Sequence, residues 1–330
     1  MPVDRLRTVL PAIALSLAAC ATAHAAPVGT DSVYPVKPLR WILGFAAGGG
    51  ADVTTRLVAQ RMSEVMGQSI VVDNRIGASG NIAGEIAARA AADGYTLFTM
   101  TASYPANHAA TGKPPFDLTR DFAYISQMTS QPYILVVHPS LNVHSVKELA
   151  ALAAVQPRTL HYGTAGVATL QHFAGVMFGR LSQTEVVHVP YKGGALAIND
   201  FLGGRLQFFF SVPLSTMHHI KAGRMRALAV TSAKRVGFAP ELPSVAEAGL
   251  PGYAVDNWYG IAVPAKTSRA IAMRLNAVAL RALGPPEVRE RLRRDGAEAV
   301  GNSPEVFTTI VRDDVARWRQ QVREMDIRLQ

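Results

Sequence analysis

In 330 residues there is one cysteine, Cys20. A single thiol closes no disulfide within the chain and leaves a thiolate metal site without its other ligands, so the fold must rest on hydrophobic cores. The nine histidines show no H-E-x-x-H spacing, and the adjacent pair His218-His219 has no cysteine partner. No metal and no cofactor are therefore expected. No basic run interleaves with aromatics. The formal charge of +9 is dispersed, and its one cluster, Arg289, Arg291, Arg293 and Arg294, alternates with Glu287, Glu290 and Asp295, as on a solvated helix face. This argues against nucleic acid as a partner. No P-loop is present, and Gly77-Ala78-Ser79-Gly80 misses the G-x-S-x-G nucleophile elbow because Asn81 takes its last position. No nucleophile–base pair stands out, although a triad scattered along the chain would leave no local signature. Beyond residue 25 no apolar run is long enough to cross a bilayer.

What is present begins with an export signal. Arg5 and Arg7 form a charged start, Thr8–Ala19 is a short apolar stretch, and Ala23-His24-Ala25 offers a small-x-small cleavage site. Removing residues 1–25 takes away two arginines and one aspartate, so the charge falls from +9 to +8. Leu17-Ala18-Ala19-Cys20 also fits a lipoprotein signal, in which Cys20 is lipidated and becomes the N-terminus. Either outcome places the chain in the periplasm, released or anchored, with no free thiol.

At 49% hydrophobic and 17% charged, the remainder reads as globular and long enough for two domains. Apolar runs alternate with amphipathic stretches. Strands are predicted over Leu39–Phe45, Ile70–Asp73, Thr96–Thr101, Tyr133–His138, Leu160–Tyr162, Glu185–His188, Leu206–Phe210, Ala227–Thr231 and Tyr259–Val263. Helices are predicted over Val53–Met66, Asn81–Ala92, Val146–Val155, Leu170–Leu181 and Ala195–Leu202. From Ser268 onward the chain reads as helix alone: Ser268–Leu283, Pro286–Asp295 and Pro304–Leu329. Ser145-x-x-Glu148 and Ser244-x-x-Glu247 are capping boxes, and Ser303-Pro304 is a cap with proline at the first helical position. Such alternation implies an α/β fold with mixed, mostly parallel sheets, whose ligands sit at the C-terminal ends of strands. With no linker visible, the chain should cross between two lobes more than once, near Gln131 and near Asp256. Residues 26–131 and 256–330 would then form one lobe and residues 132–255 the other.

Two loops carry the chemistry. In the first, the apolar run Trp41–Phe45 breaks at Gly48-Gly49-Gly50 and a helix begins near Asp52. Glycines let a ligand reach the backbone, and a helix start presents unpaired N–H groups and partial positive charge. Gly48-x-Gly50 with Asp73 further on imitates a dinucleotide fingerprint, but the third glycine position holds Val53. Asp52 reads either as helix N-cap or as ligand contact. The second loop, Thr164-Ala165-Gly166-Val167-Ala168-Thr169, repeats the arrangement before Leu170, and by itself is also compatible with an ordinary turn. Two such loops could clasp one anion from both sides. His172 stands at the start of that helix, to pack locally or to touch ligand. Phe208-Phe209-Phe210 reads as a buried strand, and Trp258-Tyr259 either walls the cleft or packs the hinge.

Segments GFAAGGGADVTTRLVAQ, VVDNRIGASGNIAGE, ADGYTL, VHVPYKGG, HIKAGRMRALAVTSAKR and LPSVAEAGLPGY together resemble the Bug family, the extracytoplasmic solute-binding receptors of tripartite tricarboxylate transporters. The resemblance runs from Tyr34 to the C-terminal helix. It implies a two-lobed, Venus-flytrap (type II) periplasmic-binding-protein fold with a helical C-terminal segment. It also implies a non-enzymatic, monomeric receptor that captures a small carboxylate and hands it to membrane permease subunits driven by an ion gradient. The alternatives are a module reporting the same ligand to a sensor kinase and, more distantly, a secreted α/β enzyme. Carried onto this chain, the implied ligand set is Ala46, Gly48, Gly49, Gly50, Ala51 and Asp52; Thr101 and Ser103; Thr164, Ala165, Gly166, Thr169 and His172; and Ser211. The family commonly has Asn-Gly where Val167-Ala168 stands, and Pro-Ser at Leu170-Gln171, so the second loop predicts a ligand with a hydrophobic body. Ser211, where the family often has Asp or Ala, argues against a ligand ammonium.

Overall fold

Both sheets place a parallel strand triplet beside antiparallel partners. The computed structural model describes residues 34–112 and 114–324; the predicted signal and Cys20 lie outside the described residues. The first sheet contains β1 (Leu39–Leu43), β2 (Ile70–Asn74), β3 (Thr96–Thr101), β4 (Phe122–Pro132), β10 (Asp256–Pro264) and β11 (Glu298–Ala299). The second contains β5 (Ile134–Val137), β6 (His161–Thr164), β7 (Val187–Pro190), β8 (Phe208–Ser211) and β9 (Arg226–Val230). Their spatial orders are β11-β4-β10-β3-β1-β2 and β7-β6-β8-β5-β9. β1 lies between β2 and β3 and runs parallel to both, and β6 lies likewise between β7 and β8. β10 is antiparallel beside β3, and β5 antiparallel beside β8. The sheets are thus mixed, as expected, but parallel pairings do not dominate: among the described residues four are parallel and five antiparallel. The chain leaves the first sheet at Pro132, enters the second at Ile134, and returns at Asp256.

The helices are α1 (Gly50–Met66), α2 (Asn81–Ala88), α3 (Ser103–Thr111), α4 (Val146–Val155), α5 (Leu170–Ser182), α6 (Gly194–Leu202), α7 (Pro213–Lys221), α8 (Arg269–Leu283), α9 (Pro286–Arg294) and α10 (Pro304–Glu324). Two capping signals act as read: Ser145 Oγ accepts from Glu148 N–H at 3.1 Å, and Ser303 Oγ accepts from Val306 N–H at 3.3 Å before α10. The Ser244–Glu247 box closes reciprocally at 3.1 and 3.3 Å on a turn rather than a helix. Four elements were not predicted: β4, α3, α7 and β11. β4 reads Phe-Ala-Tyr-Ile-Ser-Gln-Met-Thr-Ser-Gln-Pro, too polar for a buried strand by pattern, yet Ser126, Gln127, Thr129 and Gln131 are all buried. Proline interrupts the first turn of α3, and α7 is short and weakly amphipathic. β11, two residues paired to Ser130 and Thr129, breaks the expectation that the C-terminal third is helix alone.

Cores form on both sheets as the apolar runs require. Trp41, Phe98 and Met100 are fully buried in the first. In the second, Phe208, Phe209 and Phe210 are buried on both faces, with Phe208 stacked on Tyr162 and Phe209 against Phe201 of α6. Burying side chains of this size contributes about 1.5–3 kcal/mol each. α10 joins the halves: Phe307 sits edge-on to Trp258 and Tyr124, while Trp318 packs on Phe173 of α5 at 5.0 Å.

Gly260 in β10 leaves the space that Phe307 fills, since a Cβ there would lie 2.1 Å from the ring. Gly260→Ala should cost about 1–3 kcal/mol in urea denaturation by overpacking, and Phe307→Leu on the same background should return part of it. An unchanged midpoint for Gly260→Ala would contradict this packing.

Candidate functional site

Five βα junctions open onto one cavity between the sheets. Its wall takes Gly49, Gly50 and Ala51 at the start of α1, Ser103 at the start of α3, and Ala165, Thr169 and Gln171 around the start of α5. Gly194 begins α6, Val212 is the N-cap of α7, and Ser215 is the third residue of that helix. Each of these helices follows a strand of a parallel triplet, so the topology itself aims their N-termini inward. Phe45, Tyr133, Ile198, Phe209, Tyr259, Thr101 and Asn257 complete the lining. None of the lining side chains is charged. The cavity volume is about 40 Å³.

The first loop is built to leave amides free. Gly48 takes φ +81°, the left-handed region, and Gly49 is the extended N-cap of α1. The helical ladder starts at Val53 N–H, which donates to Gly49 O at 3.0 Å; Gly50 and Ala51 precede it and have no carbonyl one turn back. Gly50 also needs its missing side chain, because a Cβ would meet Val212 Cγ1 at 2.3 Å. Asp52 is the third residue of α1 rather than its N-cap. It is buried, accepts from Gly48 N–H at 3.0 Å and Asn74 Nδ2 at 2.9 Å, and pairs with Arg56 at 3.0 Å. The one acid of this loop is thus neutralised within the chain and lies off the cavity.

The second loop is pinned from behind. Thr164 Oγ1 bonds to Gly166 O and to His188 Nε2 at 3.0 and 2.7 Å. His172 Nδ1 accepts from Ala168 N–H at 3.1 Å, with Ala168 at φ +59°, and the His172 and His188 rings stack at 3.8 Å. Gln171 is held at both ends, accepting from Ala165 N–H at 2.9 Å and donating to Phe210 O at 2.7 Å. The loops also meet over the cavity: Leu170 N–H donates to Ser103 Oγ at 3.1 Å, and Ser79 Oγ to Val167 O. Ser79 sits in a run of four left-handed residues, Gly77–Gly80, a conformation that costs non-glycine residues about 1–3 kcal/mol each.

Of the residues expected at the ligand, the structure brings Gly49, Gly50, Ala51, Thr101, Ser103, Ala165 and Thr169 onto the cavity wall. Ala46, Gly48, Thr164 and Gly166 shape the loops behind it. Asp52 turns into α1, His172 braces the second loop from its outer side, and Ser211 is buried beneath Val212 with its Oγ unpartnered. Sequence reasoning did not single out Tyr133, Gln171, Gly194, Ile198, Val212, Ser215 or Asn257. Trp258 and Tyr259 divide the two uses foreseen for them. Trp258 Nε1 donates to Asp314 Oδ2 on α10 at 2.6 Å, whereas Tyr259 walls the cavity. The apolar wall does not come from Val167 and Leu170, which lie off the cavity, but from Phe45, Ile198, Phe209 and Val212. Among the described residues no His, Cys, Asp and Glu cluster could hold a metal ion, and no helix is long and apolar enough to cross a membrane.

The fold and the sequence find the same relatives. The sequence pattern of the tripartite tricarboxylate transporter family receptors matches residues 54–327. Protein BugT of Bordetella pertussis is 31% identical over 307 residues, spanning 92% of this chain and 94% of BugT. The structure of R. palustris Rpa4515 with adipate superposes with a TM-score of 0.84 at 35% identity, covering 89% of this chain and 99% of that one. MatC (Rpa3494) from Rhodopseudomonas palustris with bound malate superposes at 0.83 and 27% identity, covering 87% and 99%. The fold is that of the periplasmic binding proteins.

The histidine brace makes a pH prediction. Burial lowers His172 from 6.5 to about 4, and burial with His172 alongside lowers His188 to about 3. Both are therefore neutral in the fold and protonate more easily when unfolded. Stability should be full above pH 6.5 and fall as pH drops through about 4. In denaturation at stepped pH, a His172→Asn, His188→Gln double variant should lose stability less steeply across that window. An identical slope would contradict the brace.

Proposed function

Since the chain belongs to the tripartite tricarboxylate transporter receptor family, whose members are binding receptors and not enzymes, we propose that it captures a small carboxylate in the cavity between its two sheets. The observation that carries this reading is the convergence of five helix N-termini on a cavity without a charged side chain. Free N–H groups and helix dipoles attract an anion and orient it, and no cation is needed. Each N–H bond to a charged oxygen contributes about 1.5–3 kcal/mol. A few of them, less the cost of closure, suit micromolar affinity, about 8 kcal/mol. The adipate and malate held by the two solved relatives are carboxylates, which fits. No acid lines the cavity to receive an ammonium, so amino acids should bind poorly.

In this reading residues 26–131 with 256–330 form one lobe and residues 132–255 the other, and ligand draws them together. The exported receptor, a monomer in the periplasm, then presents its closed form to the permease subunits of an ion-gradient-driven transporter. The contacts over the cavity, Leu170 to Ser103 and Ser79 to Val167, are those that closure would make.

Calorimetric titration of the purified protein with small carboxylates and their primary amides tests the reading. One acid should bind and its amide should not, and saturation at about 100 times Kd should add about 2.7 kcal/mol to stability. Equal binding of acid and amide would refute the anion site. Gly50→Ala, whose Cβ strikes Val212 across the cleft, should fold normally but bind the acid at least tenfold more weakly. Val212→Ala on that background should restore most of the loss. Undiminished binding by Gly50→Ala would place the ligand elsewhere.

A further inference from the structure

Beneath the cavity the first sheet shows a polar face that the anion site leaves unused. Register pairs Tyr259 of β10 with Thr101 of β3 and with Thr129 of β4, and pairs Asn257 with Gln131. Cross-strand partners and residues two apart share a face, so all five side chains stand on the same side, opposite Trp258 and α10. Thr101, Asn257 and Tyr259 line the cavity. Thr101, Thr129, Gln131 and Asn257 are each at most 1% exposed. Yet Thr101 Oγ1, Thr129 Oγ1 and Gln131 Oε1 lack partners. The Asn257 and Gln131 amides both face the Tyr259 phenol, which burial pushes up to about 12 against their opposing pull. Buried polar atoms are nearly always satisfied, so this concentration beside the cavity points to something that binds there.

We propose that this face is a second recognition pole, which reads a neutral hydroxyl or keto oxygen close to the ligand's carboxylate. This inference rests on the carboxylate reading above. The pole's composition decides between a neutral and a charged group. Its cavity-lining members are the Thr101 hydroxyl, the Asn257 amide and the Tyr259 phenol, neutral groups whose hydroxyls serve as donor or acceptor. A hydroxyl can both donate and accept and fits this mixture. A second carboxylate would find no helix N-terminus and no cation on the face. A site built to bond an oxygen should discriminate strongly against the analogue that lacks it, because its own groups would then stay buried and unpaired.

Matched acids test this by calorimetry: propionate against lactate and pyruvate, and butyrate against 3-hydroxybutyrate and succinate. The oxygenated monoacid of at least one set should bind ten times or more tighter than the plain acid. Asn257→Leu should bring the members of that set within about threefold of one another. Measurable and equal binding within every set would overturn the second pole and leave the carboxylate site standing. Succinate binding tighter than 3-hydroxybutyrate would overturn its neutral character. If Asn257→Leu does not fold, the comparisons on the native chain still decide. Binding of no acid at all would remove the carboxylate reading and this inference with it.

Discussion

The structure depends on one constraint: helix starts carry N–H groups that the helix itself cannot satisfy, and five of them are gathered at one place. The gathering follows from topology. Each sheet sets a central strand between two parallel neighbours, β1 between β2 and β3, β6 between β7 and β8. The chain leaves those strands at the edge that faces the other sheet, and α1, α3, α5, α6 and α7 begin there. The electrostatic work is done by main-chain groups whose positions the fold sets before any ligand arrives.

Charged side chains near this centre are spent on the frame. Asp52 holds the glycine loop through Gly48 and Asn74 and is itself neutralised by Arg56. His172 and His188 are kept neutral by burial and brace the second loop from behind, His172 Nδ1 accepting from Ala168 N–H and His188 Nε2 bonding to Thr164 Oγ1. The left-handed Gly77–Gly80 turn holds Ser79 against Val167. Rigid loops aimed at an uncharged cavity give an anion a place to sit without a buried ion pair, whose desolvation would offset much of its attraction.

The sequence made one half of this legible and obscured the other. The strand Leu39–Leu43 breaking into three glycines before a helix has few other physical explanations, and both the loop and its helix stand where that pattern put them. The small-residue loop before Leu170 was likewise readable. β4 was not, because a strand with polar residues on a buried face looks like a loop to any count of apolar residues, and α3 and α7 lacked length and period. Asn257, Tyr259 and Thr101 therefore came together only through register. Asp52 and His172 show the converse. A polar residue beside a binding loop is needed as much to hold the loop as to touch the ligand, and only geometry separates the two uses.

The most direct test is a crystal structure of the protein with a bound carboxylate. The account predicts the carboxylate oxygens within hydrogen-bond distance, about 2.7–3.2 Å, of the main-chain N–H groups of Gly50 and Ala51, with no lysine or arginine among their partners. A carboxylate held by a cationic side chain, or seated outside this cavity, would contradict it.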